Sequence, residues 1–152
     1  MTDDFIIDRL FRVIDIRYDL DLSEREFIKG LHILLRGTFD QQMNFCYKVY
    51  DLSGIKMIRR EEIYQLLKGC MNACQEEDIH PQEAVRDLVD IILKMLDIDK
   101  DGIISIEDFR KACQQNKLLM ESLGFCLVAD REKLAYDRIL RMQIPKEISK
   151  IN

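Results

Sequence analysis

The chain has 152 residues, 47% of them hydrophobic and 34% charged, with a formal net charge of −5. That size allows a real core in one or two lobes, and the acidic balance argues against general nucleic-acid binding. Two prolines and six glycines leave little room for a β-rich fold, the apolar runs fall far short of a membrane span, and the opening residues carry neither a secretory nor a transit pattern, so a soluble intracellular protein is expected.

In chain order, Thr2 or Asp3 caps a first helix that reaches about Ile14. Ser23, with Glu26 three residues on, forms a capping box for a second helix to about Leu35, and Gly37 breaks it. A third helix runs to Tyr50 and a fourth from about Arg60 to Cys74. Gln75 to His80 is a polar, acidic connector, and Pro81 opens a fifth helix. After a sixth, Leu118 to Phe125 is a short apolar segment, and Asp130 begins an amphipathic stretch to about Met142.

Between the fifth and sixth helices, Asp97, Asp99, Asp101, Ser105 and Asp108 stand at positions 1, 3, 5, 9 and 12 of a loop with Gly102 at 6. This is the spacing of an EF-hand calcium loop, in which the glycine permits the turn that folds the carboxylates onto one centre. Ile103 supplies its backbone carbonyl, Ser105 ligates directly or through water, and Ile104 at position 8 forms a short β-bridge to a partner loop. The departure is Asp108, where the pattern calls for a bidentate Glu. A carboxylate one methylene shorter predicts weaker Ca²⁺ binding and more tolerance of Mg²⁺ at this one site.

The same unit occurs twice more. Ahead of Asp97 lie Val89, Ile92, Leu93 and Leu96; ahead of Asp51 lie Met43, Cys46, Tyr47 and Tyr50; ahead of Asp15 lie Ile7, Leu10, Phe11 and Ile14, all at the same offsets. Position 8 holds Leu22, Ile58 and Ile104, and position 13 holds Phe27, Ile63 and Phe109. The ligands differ. The Asp51 loop keeps Asp51, Ser53 and Glu62 but has Ile55 at 5 and Lys56 at the turn, and the Asp15 loop keeps Asp15, Asp19 and Glu26 but has Arg17 at a ligand position and Leu20 at the turn. Both are expected to be metal-free structural hands. The fold class is therefore all-α, with calmodulin-like EF-hand repeats and short β-bridges between paired loops. The expected organisation is a degenerate hand over 1–36, a hand pair over 37–116 and a helical extension over 117–152.

Cysteine spacing argues against zinc or disulfides. Cys46, Cys70, Cys74 and Cys113 fall on helices, mostly on apolar faces, and read as buried reduced thiols. His32 and His80 stand in no nucleophile and base arrangement, so an enzyme is the least favoured class. Met43, Met57, Met71, Met95 and Met120 read first as core filling and second as an adaptable binding groove. The bases Arg131, Lys133, Arg138, Arg141, Lys146 and Lys150 read first as a solvated face and second as a contact for an acidic microtubule or dynein surface.

Leu34 to Thr38, followed by Met43 to Tyr50 and Asp51-Leu52, resembles the hinge between the second and third hands of the neuronal calcium sensor and calaxin superfamily. The opening residues through Asp8-Arg9 and Phe11-Arg12, with Gly124-Phe125-Cys126-Leu127, resemble the calaxin family within it, as does Asp at the twelfth loop position. The resemblance implies a noncatalytic calcium adaptor associated with outer-arm dynein or its docking complex in the axoneme of motile cilia and flagella. Its partner would be a dynein heavy chain, a docking-complex coiled coil or the microtubule doublet, gripped by an apolar groove without membrane insertion. Relative to the family the chain starts late, as a paralogue or shortened isoform would, and Met1-Thr2 lacks the glycine of N-myristoylation. The alternatives are a constitutive axonemal subunit stabilised by Mg²⁺ or Ca²⁺, and a phosphatase regulatory subunit. By resemblance the Asp51 and Asp97 hands pair, Ile58 facing Ile104, which leaves Phe5, Phe11, Phe27 and Leu31 of the Asp15 hand for a partner. The regular spacing of 36 residues from Asp15 to Asp51, against 46 from Asp51 to Asp97, favours the opposite pairing of Leu22 with Ile58.

Overall fold

Three polar residues followed three positions later by an acceptor side chain set the helix starts that frame the molecule. The computed structural model of the protein describes residues 3–71 and 81–143. Ser23 accepts from the Glu26 amide while Glu26 bonds back to the Ser23 amide, and Thr38 with Gln41 and Ser105 with Asp108 do the same. The helices are α1 (Asp3–Ile14), α2 (Glu24–Arg36), α3 (Phe39–Tyr50), α4 (Arg60–Met71), α5 (Pro81–Leu96), α6 (Ile106–Gln115) and α7 (Asp130–Gln143). The apolar segment after α6 is a 3-10 turn over Lys117–Glu121. Since α1 begins at Asp3, the expected cap Thr2 lies outside the described residues, as do Cys74, the connector through His80, Lys146 and Lys150. Gly37 ends α2 through close approach: a Cβ there would stand 2.5 Å from the Ile33 carbonyl oxygen, to which the Gly37 amide donates.

Two strands, β1 (Met57–Arg59) and β2 (Ile103–Ser105), pair antiparallel with Ile58 opposite Ile104. The second and third loops are therefore the joined ones, as the resemblance implied, and Leu22 of the first loop has no strand partner among the described residues. Chain spacing is a poor guide here, because an insertion between two hands lengthens the connection without moving their loops apart.

The core lies under this bridge. Met43, Tyr50, Ile58, Ile63, Leu66, Leu96, Ile104, Phe109 and Leu123 are fully buried, and the Phe109 ring packs on Tyr47 at 5.6 Å and edge-on to Tyr50 at 6.2 Å. The Tyr50 hydroxyl closes the fold, meeting the carbonyls of Met120 at 3.0 Å and Gly124 at 2.6 Å. The first hand packs differently. Ile6 is buried where Ile7 was expected, Ile7 is 56% exposed, and Phe27 is 54% exposed although its equivalents Ile63 and Phe109 are fully buried. Phe5 is also exposed, whereas Phe11 and Leu31 are half-buried. The physical reason is that the loop-side face of this hand meets no second hand in the described residues.

Arg9 fastens that hand to the core. Its guanidinium donates to the carbonyls of Val49 at 3.1 Å, Asp51 at 2.6 Å and Lys48 at 3.4 Å, which caps the end of α3 with a cation where the helix dipole is negative. Within α2, Gly30 lets α1 approach, since a Cβ there would lie 2.8 Å from Ile14 side-chain carbons. At the far end, Arg36 of α2 pairs with Asp137 of α7 at 2.7 Å.

Candidate metal site

Each loop keeps the same backbone shape. Positions 4 and 6 have positive φ in all three: Tyr18 (+56°) and Leu20 (+63°), Gly54 (+73°) and Lys56 (+63°), Lys100 (+63°) and Gly102 (+85°). Leu20 and Lys56 thus hold the turn at the steric cost that glycine avoids at Gly102.

In the third loop the chain wraps around Asp97. One Asp97 oxygen accepts from the amides of Lys100 at 2.7 Å and Asp101 at 3.2 Å, and the other from Gly102 at 2.9 Å. Asp99 accepts from the Asp101 amide at 3.3 Å, and Asp101 from the Ile103 amide at 2.8 Å. These bonds bring carboxylate oxygens of Asp97, Asp99 and Asp101 within 4.8 Å of one another, and among the described residues none of the three is in an ion pair. Partial desolvation raises the Asp99 pKa above its ordinary value, and the like charges of Asp101, Asp108 and Asp97 add to it. A hard divalent cation relieves that repulsion with oxygen donors alone, and the donor set fits Ca²⁺.

The remaining expected ligands serve the start of α6. Ser105 is its N-cap, and Asp108, 2% exposed, accepts from the Ser105 hydroxyl at 2.5 Å and amide at 3.3 Å. Ile103 lies in β2, so the bridge begins two residues after Asp101. Asp108 does not join the cluster of three carboxylates. The longer Glu at this position in the other loops crosses its loop: Glu62 accepts from the Ser53 amide at 2.8 Å, and Glu26 from the Ile16 amide at 3.1 Å.

The second loop is closed by its own backbone. Asp51 accepts from the amides of Gly54 at 2.9 Å and Lys56 at 2.8 Å, and the second Glu62 oxygen from the Arg59 amide at 2.9 Å. In the first loop Glu26 collects the Ser23 hydroxyl at 2.5 Å, the amides of Ser23, Ile16 and Arg17, and the Arg17 guanidinium. The Ser23 hydrogen bond is the main cause that lowers its pKa to about 2.

The bridge links the metal loop to the core. Tyr47 of α3 donates its hydroxyl to the carbonyl of Ile104 at 3.0 Å, and burial pushes that phenol pKa up. Residue spacing marked Tyr47 and Tyr50 as apolar-face positions without their hydroxyl contacts, and gave no contact for Arg9. A cavity of about 260 Å³ lies between the first hand and α3, walled by Ile14, Ile16, Ile33 and Phe45 with Lys29 and Lys48 at its polar edge. The methionines divide: Met43 and Met120 are buried, and Met57 and Met95 are on the surface, 45% and 41% exposed. Cys46, Cys113 and Cys126 are buried free thiols, with the Cys46 and Cys126 sulfurs 3.1 Å apart. The side chains of Cys70, Met71 and Arg141 lie outside the described residues.

Two hands joined through a β-bridge, one of them with a converged carboxylate loop, define an EF-hand protein. A family model described as an EF-hand domain pair matches residues 40–114. The chain is similar to calaxin from Danio rerio, 43% identical over 139 residues that cover 91% of this chain and 65% of that protein. Calaxin from Xenopus laevis is 42% identical over 139 residues, covering 91% and 66%, and calaxin from Homo sapiens 38% over 138 residues, covering 90% and 64%. The chain is a calaxin-like EF-hand protein, and it spans just under two thirds of the length of these relatives. Among the described residues no helix is long and apolar enough to cross a membrane.

Proposed function

We propose that this chain is a noncatalytic, calcium-responsive adaptor whose single switch is the third loop, acting on a protein partner of the outer dynein arm or docking complex in motile cilia. The observation that carries the calcium part is the convergence of Asp97, Asp99 and Asp101 within 4.8 Å without an internal cation. An ion drawn into that cluster pulls on Ile103 and Ile104, and through the bridge on Ile58 and Tyr47, so the pair of hands responds as one unit. The partner part rests on the resemblance read from the sequence, and the cavity beside α3 is a groove of the kind that takes an apolar anchor.

A constitutive axonemal subunit is the second reading, favoured by the short reach of Asp108 and by the internal closure of the first two loops. One site must then supply the whole differential affinity of any switch. Calorimetric titration of the full chain with Ca²⁺ in millimolar Mg²⁺, beside an Asp97→Ala, Asp101→Ala control, separates the two. One micromolar-range Ca²⁺ site, absent in the control and accompanied by increased dye-accessible apolar surface, supports the adaptor. A folded chain with no Ca²⁺ heat above the Mg²⁺ background refutes it in favour of the structural subunit.

A further inference from the structure

Arg17 stands at a ligand position of the first loop, which was expected to be metal-free. Its side chain, 51% exposed, folds back over its own loop. Nε meets Glu26 Oε2 at 3.2 Å, Nη2 pairs with Asp19 Oδ2 at 3.2 Å, and Nη2 also donates to the main-chain oxygen of Asp21 at 3.4 Å. Counted from Asp15, these acceptors are positions 12, 5 and 7, three of the places from which such a loop offers oxygen to a metal.

The residue at position 1 supplies an independent observation. Asp15 is 2% exposed, one of its oxygens accepts from the Leu20 amide across the loop at 2.9 Å, and the other, Oδ1, has no hydrogen-bond partner among the described residues. A buried carboxylate oxygen without a donor is costly unless positive charge lies nearby. The second loop offers the contrast, because both Asp51 oxygens there are satisfied by amides.

We propose that the first loop is a cation site that carries its own cation: the Arg17 guanidinium occupies the place of a divalent ion and holds this hand in one geometry at every calcium concentration. The site's formal charge supports the assignment. At the ligand positions Asp15, Asp19 and Glu26 make −3, which Arg17 reduces to −2, whereas the ligand positions of the third loop hold four carboxylates, Asp97, Asp99, Asp101 and Asp108, and no basic residue. Exchanging Arg17 for Asp gives the first loop four carboxylates as well, with a full-length Glu at position 12 and the turn at Leu20 already left-handed. Ca²⁺ is then the ligand this loop takes.

The test uses the full chain with the third loop silenced by Asp97→Ala and Asp101→Ala, alone and combined with Arg17→Asp or Arg17→Gln. Calorimetry with Ca²⁺ is expected to give no site in the silenced parent or with Arg17→Gln, and one site tighter than about a millimolar with Arg17→Asp. Amide exchange at Ile16, Leu20 and Ser23 is expected to speed up about tenfold or more in Arg17→Gln, and to be restored by Ca²⁺ in Arg17→Asp. An Arg17→Asp chain that is disordered without Ca²⁺ and orders on its addition supports the proposal equally. Ca²⁺ binding to the silenced parent, an Arg17→Asp chain that gains neither Ca²⁺ heat nor Ca²⁺-dependent order, or an Arg17→Gln chain with unchanged exchange at those amides overturns it.

Discussion

Lengthening the twelfth residue of the third loop by one methylene, Asp108→Glu, is expected to convert a weak ion site into a stronger one. Asp108 stays on its own side of the loop, bonded to the Ser105 hydroxyl at 2.5 Å, whereas Glu62 crosses to the Ser53 amide at 2.8 Å from the equivalent position. The added carbon–carbon bond supplies about 1.5 Å of reach. Formal charge is unchanged, so the gain comes from ligand number: a Glu places two carboxylate oxygens on the ion, whereas Asp108 lies outside the converged cluster. Loops of this class span several decades of affinity as ligand set and rigidity vary, and two extra oxygens correspond to a Ca²⁺ affinity about ten to a hundred times higher, roughly 1.4 to 2.8 kcal/mol. The fold accommodates the larger side chain, since Glu26 and Glu62 fill the same position at 5% and 9% exposure, and Glu26 forms with Ser23 the same capping box that Asp108 forms with Ser105. Paired calorimetric titrations with Ca²⁺ and with Mg²⁺ measure the effect. Ca²⁺ affinity should rise and Mg²⁺ affinity should not, because octahedral Mg²⁺ has little use for a bidentate carboxylate. A folded Asp108→Glu chain with Ca²⁺ affinity equal to or below the parent's would refute the reach argument.

Removing the hydroxyl of Tyr50 by Tyr50→Phe leaves the buried carbonyls of Met120 and Gly124 without that donor, and a loss of about 1 to 3 kcal/mol in urea unfolding is expected; an unchanged midpoint would show that water or another donor replaces it. Acid provides a third check, through Glu26. Its pKa is lowered from an ordinary 4.5 to about 2, so its stabilising contribution is present above pH 4.5 and is lost as pH falls toward about 2. The stability difference between the parent and Glu26→Gln should therefore shrink across that window, and a difference that stays constant would count against an ionised Glu26 holding the first loop.

Helix positions and the third loop's donors were legible because both are local properties. Capping pairs such as Ser23 with Glu26 lie within one turn, and Asp97, Asp99 and Asp101 need only the Gly102 turn to converge. The first hand was read less well. Its apolar residues repeat at the same offsets as in the other two, yet Ile7 and Phe27 face outward, since periodicity marks a face without saying what covers it. Arg17 was visible as a residue out of place, and an arginine flanked by Asp15, Asp19 and Glu26 was the available signal for an internal cation. Arg9 and Tyr50 gave no such signal: their partners are main-chain carbonyls 39 or more residues away.

Three helix-loop-helix units, one complete set of oxygen donors and two incomplete ones were determined by the amino-acid sequence alone, because ligand spacing and the 3.6-residue repeat act within a dozen residues. Only the tertiary structure decided that the second and third loops share the β-bridge, that Arg17 points into its loop rather than away from it, and that Asp108 stops at Ser105. The bridge depends on distances set when separate helices close on a common core, and at Asp108 a difference of one carbon–carbon bond is enough to change which atoms meet.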